Sequence, residues 1–203
     1  MKSAMIATST VYVITDIEAD GPDPGTHSML GWASVAQTAT GKEIGHFTAN
    51  IAPLDGAQVD PGTMAWWKSQ PQAWLEVTRD QRPPEAAVMD FIAWVRTLSD
   101  TVVFVAHPLS FDGAWIDWYL QRFAGVRLFD RSRDPGLLHG FGIDLPSLVM
   151  GTMGWDYRRC RREYYPEAWL GGYHHSHCAL DDARGYAALF RTMCAARSYR
   201  EAV

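Results

Sequence analysis

Residues 11–17, VYVITDI, are apolar on both alternating faces and rich in β-branched and aromatic side chains. That pattern predicts a strand covered from both sides rather than one half open to water. The run stops at the turn-rich ADGPDPG. Residues 29–36 and 43–51 read as two more strands, joined across TATGK by a tight turn at Thr40 and Gly41. Together the three predict an antiparallel meander.

The pattern then turns helical. In VDPGTMAWWKSQPQAWL, Pro61 suits the opening of a short helix that Pro71 interrupts or ends. Residues 85–98 place Ala87, Phe91, Trp94 and Leu98 at helical spacing. TVVFVAH is a second fully apolar strand, and FDGAWIDWYLQRF brings Trp115, Trp118, Tyr119 and Arg122 into helical register. VRLFD reads as a short strand, and DLPSLVM as a short helix with Asp144 as its cap and Pro146 near its start. An aromatic and basic loop, WDYRRCRREYYPEAWLGGYHHSH, leads to a last helix over residues 180–197, with Ala183, Tyr186, Ala187, Phe190 and Cys194 on its apolar face. This order predicts a mixed α/β sheet with helices packed on it.

Composition narrows the setting. A chain of 203 residues, 47% of them hydrophobic, can bury one substantial core, so a single domain over 1–203 is expected. The opening MKSAMIATST carries no apolar run long enough for a signal peptide, and no stretch approaches the roughly 20 apolar residues of a membrane span. Cys160, Cys178 and Cys194 are odd in number and form no CxxC pair, which argues against a disulfide framework and fits a cytoplasmic protein. A net charge of −5 argues against coating long nucleic acid with a broad basic surface. It does not argue against a nuclease, because metal-binding carboxylates add negative charge that bound cations reverse locally.

Three segments carry candidate chemistry. Asp16 and Glu18 project from one face at the end of the first strand, since side chains alternate along a strand. Paired carboxylates repel unless cations or protons compensate, although a strand end reaching solvent would also carry them. In AHPLSFDGAWID, Asp112 stands near a helix start, where an acid also serves the helix dipole, and Asp117 on the same helix competes for any role. In HSHCALDDARGYA, His177 precedes Asp182 by five positions at the opening of the last helix.

DIEADG, AHPLSFD and HCALDDA resemble, in this order, the three motifs of the DnaQ-like exonuclease superfamily in its DEDDh branch. They span residues 16–182. The third motif separates this branch from the one with Tyr four positions before the aspartate, where this chain has Cys178. The resemblance implies an RNase H-like fold: a three-strand antiparallel meander plus parallel strands, flanked by helices. It also implies 3'-5' hydrolysis of single-stranded RNA or DNA to nucleoside 5'-monophosphates with two divalent cations, Mg or Mn. Carried over, Asp16 bridges both cations, Glu18 and Asp182 complete one site, Asp112 serves the other, and His177 acts as general base, with Asp181 a non-ligand. Pro108 departs from the pattern, standing where the motif before FD usually has Asn. The stretch from TMAWWKSQ through the basic loop is more loosely similar to phage-type and RNase AS-like exonucleases.

Ala19 and Met29 are where the resemblance puts the grip on the terminal nucleotide. Trp66 and Trp67 offer aromatic faces for stacking, and Arg159, within RRCRRE, could track a phosphate backbone. A homodimer is compatible with all of this. Three rivals remain: a non-catalytic nucleic-acid-binding module on the same fold, a zinc protein using His174, His175, His177 and Cys160 or Cys178, and a transferase or synthase of another α/β class, which would need a phosphate-cradling GxxxxGK(S/T) loop that the sequence lacks.

Overall fold

The computed structural model describes residues 10–98, 101–129 and 137–201. Five strands form one sheet in the order β3-β2-β1-β4-β5: β1 Val11–Ala19, β2 Met29–Gln37, β3 Glu43–Asn50, β4 Val102–Ala106 and β5 Ile143–Asp144. β1, β2 and β3 pair antiparallel as the expected meander, while β1–β4 and β4–β5 pair parallel. The two-sided apolarity of VYVITDI has its reason in this order: β1 is the middle strand and is covered on both faces. Val11, Val13 and Ile17 face the core shared with α3 (Pro84–Val95) and α4 (Leu109–Ala124). Ile14 faces the core shared with α5 (Leu145–Met153) and α6 (Ala179–Glu201). Inside this apolar stack the buried hydroxyls of Thr15 and Ser34 pair at 2.6 Å, and Trp32 Nε1 donates to Ser34 Oγ at 3.1 Å. No polar group of that trio is therefore stranded.

Several elements differ from the pattern's prediction. Pro71 does not end a helix but opens a second one: α1 is Pro61–Trp67 and α2 is Pro71–Thr78, each with proline in its first turn, where a missing N–H costs nothing. α3 stops at Val95, so Leu98 lies in the turn beyond it. VRLFD is not a strand over its described residues 126–129, and Asp130 lies outside them, as do residues 1–9. The fifth strand is instead Ile143–Asp144, too short to leave a periodic signal. The aromatic loop folds into three single 3₁₀ turns at Tyr157–Arg159, Arg162–Tyr164 and Glu167–Leu170.

Asp144 ties two helices to the sheet edge. Its Oδ2 accepts from Ser147 N at 2.9 Å, capping α5 as expected, and its Oδ1 accepts from Leu109 N at 3.0 Å in the first turn of α4. That second bond has a local cause. Pro108 occupies the cap position of α4, after a cis His107–Pro108 bond, and has no side-chain acceptor to offer. No described helix is long and apolar enough to cross a membrane.

Candidate active site

Asp16 and Glu18 alternate with Ile17 on β1, so they leave the sheet on the face where α6 packs. Asp182 arrives on that face from the first turn of α6. Carboxylate oxygens of Asp16, Glu18 and Asp182 lie within 4.8 Å of one another. Asp112 comes from α4 on the other side and points its Oδ1 at Ile17 N, 3.2 Å away, in the backbone between the two β1 acids. Its other oxygen, Oδ2, is buried without a hydrogen-bond partner. Four acids from three distant segments thus meet at the C-terminal end of β1.

Asp117, the alternative on the same helix, has partners of its own away from Ile17. Asp117 holds Arg127 through two bonds of 2.9 and 2.6 Å and accepts from Leu128 N, an arrangement that fastens the chain after α4.

Such a group of acids resists ionisation. Burial pushes Asp16 well above the usual carboxylate range, and the charges of Asp112, Glu18 and Asp182 push it further while Arg162 opposes them. Glu18 is raised in the same way, by burial and then by Asp182 and Asp112. Burial lifts Asp112 to about 7 against the pull of the Ile17 amide. Asp182 rises to about 6, again through burial, with Arg162 and the amides of Ser176 and His177 working the other way. Oxygen-rich, mutually repelling and partly unpartnered, the set suits a hard divalent cation, which would supply the charge that these carboxylates lack.

Asp182 also organises the histidine loop. It accepts from Ser176 N at 3.4 Å and His177 N at 3.0 Å. His177 adopts a left-handed φ of 55°, unusual for a residue with a side chain, and its ring meets Trp66 edge-on at 4.7 Å. Burial, and to a smaller degree Arg162, lowers its pKa below the ordinary histidine value.

The remaining sequence-predicted contacts fare unevenly. Trp67 is 1% exposed within a cluster of Leu30, Ala73 and Val77, so it has no face to stack on a base. Its Nε1 instead donates to Ala19 O at 2.9 Å and fixes the bulged backbone after Glu18. Trp66, 37% exposed, is the ring left open. Met29 is wholly buried in the core, as an apolar strand start commonly is, and has no surface with which to wedge a nucleotide. Arg159 lies over the Trp155 ring at 4.9 Å.

The arginine that reaches the site is Arg162, which the sequence reading did not single out. It is 8% exposed, lies 3.3 Å from Asp182 Oδ1, donates to Tyr173 O at 3.0 Å and rests over the Tyr186 ring at 5.1 Å. Gly185 makes room for it: a Cβ there would sit 3.1 Å from Arg162 Nη1. A glycine inside a helical pattern beside Tyr186 was the one available signal. Among the described residues no cysteine joins a metal-sized group, but His175 and His177 do so together with Asp182.

No protein-family model matches the chain. Over 184 residues, 89% of this chain and 90% of the other, it is 26% identical to the 3'-5' DNA exonuclease Cap18 of Escherichia coli. Among solved structures it is similar to a 3'-exonuclease that recognises the 3' end of the histone mRNA stem-loop, with a TM-score of 0.62, 12% identity, and coverage of 96% of this chain and 84% of that one. The nuclease domain of 3'hExo, a DEDDh family member bound to rAMP, gives a TM-score of 0.60 at 10% identity, over 98% and 95% of the two chains. Exonuclease I gives 0.63 at 16% identity, over 91% of this chain and 40% of that one. The fold is the RNase H-like fold of the DEDDh 3'-exonucleases.

Proposed function

We propose that the chain is a metal-dependent 3'-5' exonuclease that removes nucleotides from single-stranded nucleic acid ends and releases nucleoside 5'-monophosphates. One observation carries the reading: Asp16, Glu18, Asp112 and Asp182 converge at one strand end with His177 beside them. Fold likeness and the Cap18 relative, a DNA exonuclease by name, support the same reaction class.

Asp16 would be shared by two cations, Mg or Mn, with Glu18 and Asp182 completing one site and Asp112, through its unpartnered oxygen, serving the other. Bound there, the cations supply charge to the attacking and departing oxygens of the phosphodiester. The protein's own part is proton handling and positioning. A ring nitrogen of His177, whose pKa burial lowers, takes the proton of the attacking water. Asp182 holds that histidine's backbone in place, and Arg162 holds Asp182. Trp67 fixes the Ala19 carbonyl, and with it the backbone beside the terminal nucleotide, while Trp66 offers its open face to the terminal base.

The test supplies 5'-labelled single-stranded DNA and RNA with Mg or Mn to the wild type and to Asp16→Ala. The expected result is a ladder that shortens from the 3' end in the wild type and an inert variant. Absence of shortening on both polymers, or a variant as active as the wild type, overturns the proposal.

A further inference from the structure

The histidine loop carries a second set of ligand atoms that the proposed hydrolysis does not use as a unit. Ring nitrogens of His175 and His177 and a carboxylate oxygen of Asp182 lie within 4.8 Å of one another. His175 Nε2 is 3.5 Å from Asp182 Oδ2, and the two imidazole centroids are 4.1 Å apart with their planes tilted by 46°. Asp182 is held from behind: Arg162 engages its Oδ1, and the amides of Ser176 and His177 fix the carboxylate in orientation. The His175 side chain is 47% exposed.

We propose that His175, His177 and Asp182 form a site for one borderline-soft cation of the zinc class, and that filling it switches hydrolysis off. Two imidazoles and one carboxylate with an open fourth position are a donor set that zinc favours. Bonds of about 2.0–2.1 Å place tetrahedral ligands about 3.4 Å apart, so rotation of His175 and His177 by roughly an ångström closes the set. Magnesium and manganese prefer oxygen and bind imidazole far less tightly than zinc does, so the two neighbouring groups sort cations by chemistry while sharing Asp182. The consequence follows from a lone pair. A His177 nitrogen that donates to a cation has no electron pair left to accept the proton of water. The switch rests on the hydrolytic reading above, whereas the binding site does not.

The test separates the two. Metal-free wild type, His175→Ala and Asp16→Ala are titrated with zinc chloride by calorimetry, and the zinc-loaded proteins are examined by X-ray absorption at the zinc edge. Asp16→Ala removes the oxygen-rich group and is expected to keep a zinc ion with two imidazole ligands. His175→Ala, a change on an exposed loop, is expected to lose at least ten-fold in zinc affinity and one imidazole, with an unchanged melting temperature. In the presence of excess magnesium, with each protein compared to its own zinc-free rate, the zinc concentration that halves hydrolysis should rise at least ten-fold in His175→Ala. Equal zinc affinity in wild type and His175→Ala, or absorption showing oxygen ligands alone, overturns the site. Zinc that binds through both histidines without slowing hydrolysis overturns the switch. A wild type inert with magnesium and manganese sinks the nuclease reading, while calorimetry and absorption still decide the zinc site.

Discussion

Replacing Asp112 with Asn should make the metal-free protein more stable while destroying its activity. Asp112 is 2% exposed, one of its oxygens has no partner, and burial lifts its pKa from 3.8 to about 7. At ~1.4 kcal/mol per tenfold change in acidity, the ionised carboxylate disfavours the fold by about 4 kcal/mol at pH 8. The sign follows from proton binding. A carboxyl raised in the folded state contributes stability that is fully present below pH 3.8 and lost as pH climbs through about 7. Asparagine removes the charge but leaves an amide where the unpartnered oxygen was, which returns about 1–3 kcal/mol. The net gain is about 1–3 kcal/mol, and at ~2–4 °C per kcal/mol for a chain of this size the melting temperature rises by several degrees. Thermal unfolding in chelator, at pH 8 and at pH 5, reads it directly. Asp112→Asn should melt above the wild type at pH 8, with the gap narrowing at pH 5. Added manganese should then stabilise the wild type more than the variant. A variant that melts below the wild type at pH 8 in chelator, and gains as much from manganese, refutes the reasoning.

Other outcomes follow from contacts around the same strand end. Arg162→Gln leaves buried Asp182 without its counter-charge and should cost about 3–5 kcal/mol of stability in metal-free protein, with Arg162→Lys recovering part of it by urea denaturation. Trp67→Phe removes the bond to Ala19 O and should cost about 1 kcal/mol, whereas Trp66→Ala should raise KM for single-stranded substrate. His107 donates to or accepts from Tyr165 Oη at 3.0 Å, stacks on Tyr186, and is lowered by burial to about 4. Its neutral form supports the fold fully above about pH 6.5, and that support is lost as pH falls toward 4. His107→Gln should therefore flatten that part of the pH–stability curve, measured as the difference from wild type so that the oppositely directed active-site acids cancel.

The legible parts of this fold were those in which a single segment bears the whole signal. β1 announced its central place because both of its faces had to be apolar, and Asp144 announced a cap because it stands directly before a short apolar helix with Pro146 near its start. β5 was invisible because two residues cannot display a period. Pro71 was ambiguous because proline both ends one helix and opens the next. In the site, the acids and His177 stood out through their motif, but no spacing rule could rank the arginines of RRCRRE. What separates Arg162 from Arg159 is a glycine more than twenty positions later that leaves space for one guanidinium against α6. Trp66 and Trp67 likewise share a helix turn, and only the packing of α1 on α2 decides which ring is buried.

The central claim is that Asp16 anchors a pair of cations between the β1 acids, α4 and α6. A crystal grown with manganese and a nucleoside 5'-monophosphate, measured at the manganese absorption edge, tests it most directly. The account predicts two anomalous peaks that share Asp16, one completed by Glu18 and Asp182 and the other on the Asp112 side. Manganese bound elsewhere, with no peak in contact with Asp16, would contradict it.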